Sequence, residues 1–463
     1  MNMHRRLLIL SLICLQFIDA QKSSLVEDKI RDIYVKSLTE GKSYSWLEHL
    51  SKNIGGRLSG SLNAQRAIDW AKDELNNIGA LDSVWLQPVM VPKWVRGTLE
   101  YANIESSPGN TINVNVCSLG GSIATPTGGI RANVVEVESI EELDSLGEKN
   151  VNGKIVFFNR SMQSGLVDTF KAYEGGLSLL YSGAAHAARY GAVAVLVRSM
   201  NLRLDDYPHT GVMNYGSLPI SKRIPAASIS TNDSELLSSM ISLNPNLRFF
   251  LRQDCKNYPE VKSYNVIGQI RGTEFPEKII FVGAHLDSWD LGDGAHDDGA
   301  GVVQSMEVIR LLNCIKYKPK NTVRVVLFMN KENGGRGARA YSESVSKKRE
   351  KHLIALESDS GAFTPQGFVF DSNDEYFERI LNWKPYFEPY YIHLFRRCEI
   401  GTDLRLLKKD ALVLSGLKTD SQRYFIHHHS EIDTFETINR RELELGAATM
   451  AALIFLTDHI GLE

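Results

Sequence analysis

Apolar residues between Ser61 and Ile78 recur at the three- and four-residue spacing that is typical of an amphipathic helix. The apolar positions are Ala64, Ala67, Ile68, Ala71, Leu75 and Ile78. Ser61 is suited to cap the first turn, and Gly79 is suited to end the last one. The next apolar run, Val84 to Val91, contains one proline and is followed by another. These prolines predict a strand that lies at the edge of a sheet or ends there.

After Asn265, uninterrupted apolar runs alternate with helical patterns. Strands are predicted at Lys278–Val282, Thr322–Phe328 and Leu353–Leu356, with helices at Gly299–Leu312 and after Gly335. Such an alternation predicts an α/β fold with a mostly parallel sheet and helices on both faces. In sheets of this kind, the functional loops follow the carboxyl ends of the strands.

The segment between residues 117 and 258 has a different character, because short β-rich runs are separated there by Gly, Pro, Ser and Asn clusters. The runs are Lys154–Phe158, Ala192–Val197 and Ala226–Ser230. We predict a smaller β-rich domain over residues 117–258. It would be inserted into a main domain formed by residues 45–116 and 259–463.

The composition is that of a folded globular protein. The chain has 463 residues, of which 43% are hydrophobic and 23% charged, so a large core is expected. The formal net charge of -3 supplies no field that would attract nucleic acid or an anionic membrane. Any partner must therefore be argued from a site, and no nucleic-acid partner is expected.

The first 20 residues have the layout of a cleaved secretory signal peptide. Two arginines precede an apolar stretch from Leu7 to Phe17, and Ala20 precedes a polar sequence. An uncleaved anchor helix is the alternative, but the stretch is shorter than the ~20 residues that a membrane span needs. No later segment has the length and apolarity of a span, so we expect a protein of the secretory route.

Four cysteines remain after cleavage at Ala20, namely Cys117, Cys255, Cys314 and Cys398. They allow three disulfide pairings, and free thiols are equally open. Sequons begin at Asn159 and Asn232, which fits a glycoprotein of the secretory route.

Acidic and histidine side chains follow each of the predicted strands. They are His285, Asp287, Asp297 and Asp298 after the first strand, Glu332 after the second, Glu357 and Asp359 after the third, and His427, His428, His429 and Asp433 farther on. Imidazoles and carboxylates that converge on one sheet edge suit zinc or a similar divalent ion, and a bridging carboxylate lets two ions share the site. Asp287 is well placed to orient His285 by accepting its other N–H.

Each of these residues also has a purely structural interpretation. His285 can be a strand-end histidine that the backbone satisfies, and Asp297 with Asp298 can begin a helix whose dipole favours acids. The histidine triplet can be a solvated loop, and Glu332 can pair with a nearby arginine. These interpretations require four separate coincidences at four loops, whereas one metal site accounts for all of them.

Several longer stretches resemble the co-catalytic zinc exopeptidase family. They are "GGRLSGS" at 55–61, "QPVMVPKWVRG" at 87–97, "GSIATP" at 121–126, "GAHLDSWD" at 283–290, "GAHDDGAG" at 294–301, "ESDSGAF" at 357–363, "GTD" at 401–403 and "HHSEIDT" at 428–434. The resemblance implies the zinc exopeptidase fold with a protease-associated domain over residues 117–258. It also implies a removable pro-segment over residues 21–44, a homodimer, secretion or a lysosomal location, and a small peptide substrate.

The resemblance further implies a cofactor of two Zn²⁺ ions, bound by His285, Asp297, Glu332, Asp359 and His429. Asp297 would bridge the two ions. His285 and Asp359 would complete the site of one ion, and Glu332 and His429 that of the other. Asp287 would orient the imidazole of His285 without binding an ion itself.

The chain departs from the family at Lys331. Family members carry two adjacent glutamates before the "GG" pair, of which the first is the general base and the second a zinc ligand. Here Lys331 stands at the base position and Glu332 at the ligand position. A unit charge ~5 Å from a divalent ion at an effective dielectric constant of ~20 feels about 7 kcal/mol. Lys331 is therefore expected to be deprotonated, turned away, or incompatible with full metal loading.

Two functions follow from these residues. The first is a di-zinc carboxypeptidase or dipeptidase that hydrolyses dipeptides or short peptides with metal-activated water, weakened because loss of a general base typically costs about 10²- to 10⁴-fold. A neutral Lys331 is one candidate for a replacement base, because burial beside cations lowers the pKa of a lysine. The alternative function is a catalytically inactive, zinc-containing binding protein.

Overall fold

The computed structural model describes residues 24–400 and 403–462. The expected signal peptide lies outside the described residues, as do Gly401 and Thr402 of the "GTD" stretch.

The strands are β1 (Ser83–Val95), β2 (Glu100–Ser107), β3 (Asn110–Val114), β4 (Val116–Ser118), β5 (Ile130–Val137), β6 (Ile155–Phe158), β7 (Ala194–Arg198), β8 (Ala226–Ile229), β9 (Arg248–Gln253), β10 (Lys256–Ile270), β11 (Phe275–His285), β12 (Asn321–Phe328), β13 (Lys351–Glu357), β14 (Pro365–Asp371), β15 (Leu394–Arg397) and β16 (Ala411–Thr419). The α-helices are α1 (24–40), α2 (Ser43–Glu48), α3 (Leu62–Asn77), α4 (Ile140–Val151), α5 (Thr169–Glu174), α6 (Leu177–Arg189), α7 (Thr231–Leu243), α8 (Ala300–Cys314), α9 (Arg336–Lys348), α10 (Asp374–Leu381), α11 (Lys384–Phe387), α12 (Tyr424–His427) and α13 (Arg440–His459).

Eight strands form the first sheet, in the order β1-β10-β12-β11-β13-β16-β14-β15. The four central strands β12, β11, β13 and β16 run parallel to one another. Strands β10 and β14 flank them in antiparallel pairing. The expected α/β class with a mostly parallel central sheet is confirmed.

Successive residues of a central strand face two different apolar layers. In β11, Ile280 and Val282 belong to the larger core, which α3, α8 and α13 cover. Phe281 points the other way and packs with Tyr341 and Val345 of α9. Because both faces are covered, these strands are apolar on both sides, which explains their uninterrupted hydrophobic runs.

The first predicted helix and strand form as expected. Ser61 accepts a hydrogen bond from the backbone N–H of Ala64 at 3.0 Å, which caps α3. The predicted apolar face of this helix is buried in the core from Ala64 to Leu75. Strand β1 lies at an edge of the first sheet, which is where prolines within strands are tolerated.

Helix α1 packs into the larger core. Ile30, Ile33 and Tyr34 are buried, and the ring of Tyr34 stacks on Tyr390 with centroids 3.6 Å apart. Removal of residues 21–44 would therefore expose an apolar face of the main core. Cleavage of a pro-segment there stays a prediction.

The second sheet takes all its strands from residues 100–253, which we call the insert, in the order β3-β2-β9-β5-β6-β7-β8-β4. It begins earlier than the boundary predicted at residue 117, because β2 and β3 pair with each other and β2 pairs with β9. Strand β3 is mostly exposed and polar, so it lacked the apolar signal of a strand. The insert also contains helices α4 to α7, beyond the predicted β-rich runs.

Two further features bear on the expectations from sequence. In the described part of the chain, no helix combines the length and apolarity needed to cross a membrane. Cys117, Cys255, Cys314 and Cys398 are free thiols, so none of the three pairings is formed among them.

Candidate metal centre

The candidate site lies at the carboxyl edge of the central parallel strands. His285 is the last residue of β11, and Lys331 and Glu332 follow the end of β12. Asp359 follows the end of β13. Because β12, β11 and β13 are parallel neighbours, their ends meet at one edge and bring these side chains together.

Asp297 is the centre of the site, and its two carboxylate oxygens face different partners. Oδ1 lies 3.1 Å from Nε2 of His285. Oδ2 lies 3.2 Å from Nε2 of His429 and 3.4 Å from Nε2 of His428. Asp297 is therefore positioned as a bridge between two ligand groups.

We call these groups the His285 centre (His285, Asp297, Asp359) and the His429 centre (His429, Asp297, Glu332). In the first, Nε2 of His285 lies 3.4 Å from Oδ1 of Asp359. In the second, Nε2 of His429 lies 3.2 Å from Oε2 of Glu332. The structure thus brings together all five residues that the family resemblance implies as zinc ligands, and it adds His428 at the edge of the His429 centre.

The donor atoms of these groups fit a divalent metal. Four buried atoms make no hydrogen bond with any described residue: Oδ2 of Asp297, Oε1 of Glu332, Oδ1 of Asp359 and Nε2 of His429. Unpaired buried polar atoms are costly, and carboxylates and imidazole nitrogens are zinc ligands. A cation among them would satisfy these atoms.

Lys331 points into the site. Its Nζ lies 3.4 Å from Oδ1 of Asp297, 3.4 Å from Oδ2 of Asp359 and 3.8 Å from Oε2 of Glu332. Burial lowers the pKa of Lys331, but these three carboxylates outweigh burial and hold that pKa well above its ordinary value. The lysine is therefore not turned away from the site, in contrast to one of the outcomes expected from sequence.

Asp287 supports the site differently from the expectation. Nδ1 of His285 lies 2.9 Å from the backbone carbonyl oxygen of Asp287 and 3.9 Å from its carboxylate. The carboxylate instead accepts the backbone N–H groups of Lys331 at 3.1 Å and Glu332 at 3.3 Å. It therefore fixes the turn that aims these two side chains, while its carbonyl orients the imidazole.

The two adjacent acids at the start of α8 have separate roles. Asp298 accepts the backbone N–H groups of Gly301 and His285, both at 3.1 Å, so the helix-start interpretation holds for Asp298. Asp297 faces His285, His428 and His429 instead. Asp433 accepts the backbone N–H of Asp297 at 3.1 Å and so positions Asp297 between the two histidine-containing sides of the site. Burial raises the pKa of Asp433 to about 7.

Other candidates lie apart from the two ligand groups. Nδ1 of His427 faces the backbone carbonyl of Ile432 at 3.1 Å. Glu357 is buried, and burial together with the Asp403 carboxylate holds its pKa well above the ordinary value.

Comparison with known proteins identifies the family. Residues 265–454 match the profile of peptidase family M28. The chain is 32% identical to carboxypeptidase Q of Bos taurus over 432 residues, which covers 93% of this chain and 88% of that protein. The chain belongs to peptidase family M28. Its resemblance to carboxypeptidase Q extends to Xenopus laevis, at 34% identity over 93% of this chain and 89% of the relative.

Solved M28 structures share the fold. A peptidase M28 precursor from Shewanella amazonensis has a TM-score of 0.88 at 32% identity, covering 94% of this chain and 97% of that chain. A zinc aminopeptidase from Bacillus subtilis has a TM-score of 0.64 at 19% identity, covering 90% of this chain and 95% of that chain. M28 peptidases are co-catalytic zinc exopeptidases, so zinc is the metal that this ligand set is expected to hold.

The insert supplies supports that sequence reasoning missed. Nδ1 of His429 lies 3.2 Å from the carbonyl oxygen of Thr210, whose own N–H donates to the carbonyl of His429 at 2.9 Å. Nδ1 of His209 lies 2.6 Å from the carbonyl oxygen of His428. Because a carbonyl only accepts, Nδ1 of His429 carries the proton and its Nε2 is left for a metal. The two residues of each contact are 219 positions apart in the chain, so no local sequence pattern predicts the contact.

Arg57, in the "GGRLSGS" stretch, is a second missed support. Its side chain is fully buried and donates to the backbone carbonyls of Leu286 at 2.6 Å, Asp293 at 2.9 Å and Gly294 at 3.0 Å. It thereby holds the loop between His285 and Asp297. A buried charge of this kind is stabilised only when its hydrogen bonds are satisfied.

Proposed function

We propose that the chain is a zinc-dependent exopeptidase that hydrolyses dipeptides or short peptides with free carboxyl termini, slowly, because of Lys331. The observation that carries this proposal is the pair of ligand groups around Asp297, with unpaired donor atoms in both. The matched relatives are named carboxypeptidase Q, which supports a substrate with a free carboxyl terminus.

The chain's own residues determine how such a site works. Zinc bound there would supply a Lewis acid for the peptide carbonyl and would lower the pKa of water. His429 is held in the tautomer that leaves Nε2 as a ligand, and Asp287 fixes the turn that carries Glu332. Lys331, as an ammonium, has three N–H donors and no lone pair, so it cannot accept the proton of the attacking water. We expect turnover about 10²- to 10⁴-fold below that of a site with glutamate there.

A second function, a zinc-containing binding protein without turnover, is favoured by the same lysine. An ammonium among the carboxylates preserves a charged pocket while removing the general base. Such a site would bind the peptide and release it unchanged.

The proposal includes secretion or delivery to the lysosome, and a homodimer. The signal-like pattern of residues 1–20 and the two sequons support the secretory route. The homodimer rests on the family resemblance alone.

Hydrolysis of a panel of dipeptides by the zinc-loaded protein tests the proposal. Release of amino acids is followed by chromatography, with carboxyl-amidated dipeptides in parallel and Glu332→Gln as the ligand-deficient control. We expect slow hydrolysis of free dipeptides, little of the amides, and none by the control. Calorimetric binding of dipeptides without hydrolysis would support the binding protein instead, and neither binding nor hydrolysis would overturn both.

A further inference from the structure

The position of the Lys331 ammonium divides the two centres. It lies 3.4 Å from Oδ1 of Asp297 and 3.4 Å from Oδ2 of Asp359, which are two of the three ligands of the His285 centre. The oxygen of Glu332, in the other centre, is farther away at 3.8 Å. An ion in the His285 centre would share Oδ1 of Asp297 with the ammonium and would bind Asp359 beside it.

The unpaired donor atoms are distributed in the opposite way. Three of the four, namely Oδ2 of Asp297, Oε1 of Glu332 and Nε2 of His429, belong to the His429 centre. The His285 centre contributes only Oδ1 of Asp359. Nε2 of His428 also lies 3.4 Å from Oδ2 of Asp297, so a further nitrogen is available at the His429 centre. The requirement for a cation is therefore concentrated there.

Charge balance agrees with this division. Asp297, Glu332 and Asp359 have a total formal charge of three negative charges. One zinc ion together with the Lys331 ammonium neutralises them, whereas two zinc ions and the ammonium leave two positive charges in excess. Excess charge in a buried site is strongly disfavoured, because little water is available to solvate it.

We infer that the Lys331 ammonium takes the place of one metal ion in the His285 centre, so that the chain binds a single zinc ion in the His429 centre. This inference rests on the proposed zinc site and specifies how that site is loaded. The lysine replaces both the general base and the second cation of a two-ion site. Asp297 then bridges an ammonium and a zinc ion.

Zinc content is the direct test. The full chain is loaded with excess Zn²⁺, dialysed against metal-free buffer, and analysed for zinc per chain, beside Lys331→Glu and Lys331→Met. We expect one zinc ion in the parent and two in both variants. Lys331→Met removes the charge without adding a base or a carboxylate, so it separates metal loading from catalysis.

A matched pair of carboxylate-to-amide changes locates the ion. Asp359→Asn should retain the single zinc ion, whereas Glu332→Gln should lose it. In a Lys331→Met background, Asp359→Asn should reduce two ions to one. Circular dichroism confirms that each variant is folded, and Co²⁺ substitution adds a spectroscopic readout, because only a two-ion site gives a magnetically coupled pair.

Two zinc ions in the parent would overturn the inference, and so would zinc that is lost in Asp359→Asn but retained in Glu332→Gln. Absence of zinc from the folded parent would overturn it together with the zinc-dependent function. One zinc ion in a parent that does not hydrolyse peptides would leave the inference standing and remove only the exopeptidase.

Discussion

Lys331→Glu should make the fold depend on metal. Each of the two contacts at 3.4 Å between Nζ of Lys331 and the carboxylates of Asp297 and Asp359 corresponds to about 5 kcal/mol of Coulomb attraction at an effective dielectric constant of ~20. Desolvation of the buried groups offsets much of this attraction, and breaking one buried ion pair costs about 3–5 kcal/mol in practice. The variant also adds a fourth carboxylate, so the metal-free variant should be less stable than the metal-free parent by at least about 3 kcal/mol.

Urea unfolding followed by circular dichroism measures this difference in the presence of a chelator and again with zinc. A ligand at 100 times its Kd stabilises a folded protein by about 2.7 kcal/mol, and we expect the gain from zinc to be larger in the variant because two ions bind. Lys331→Met, which only removes the charge, should lie between parent and Lys331→Glu without metal. Equal stability of the metal-free parent and Lys331→Glu would refute an ammonium held among the carboxylates.

Three further predictions concern activity, pH and packing. With zinc present, Lys331→Glu should raise kcat/KM for dipeptides by about 10²- to 10⁴-fold, and an unchanged rate would contradict the missing-base argument. Burial raises the pKa of Glu444 to about 7, so the folded protein favours the protonated carboxyl group. The stability that this preference contributes is fully present below about pH 4.5 and is lost as the pH rises through 7. Glu444→Gln should therefore stabilise the protein at pH 8, by at most about 3 kcal/mol, and have little effect at pH 4, as urea unfolding at both pH values would show. A Cβ at Gly301 would overlap the carbonyl oxygen of Ser358, so Gly301→Ala should lower the free energy of unfolding by about 1–3 kcal/mol in the same assay.

The sequence was sufficient where local pattern and strand ends decide the structure. The uninterrupted apolar runs marked β11, β12 and β13, and residues that follow them lie at the edge that carries the candidate site. Parallel pairing brings these residues together, because it aligns the ends of strands that are far apart in sequence. The candidate acids and histidines could therefore be predicted from the strand ends, whereas the choice of five as zinc ligands was implied by the family resemblance.

The remaining features depend on tertiary contacts. Strands β2 and β3 are polar, so their membership in the second sheet follows from pairing with β9 rather than from hydrophobicity. The Lys331 side chain lies among the carboxylates of Asp297, Glu332 and Asp359, two of which come from other loops. That arrangement cannot be read from the order of residues along the chain.

The contacts of Thr210 and His209 with the His428–His429 loop couple the insert to the metal. If zinc binds at His429 as proposed, docking of the insert and zinc binding would be linked equilibria, and each would strengthen the other by the same free energy. A molecule that displaced the insert from the His428–His429 loop would weaken zinc binding without contacting any of the proposed zinc ligands. Conversely, withdrawal of zinc would loosen the insert from the sheet that carries the site.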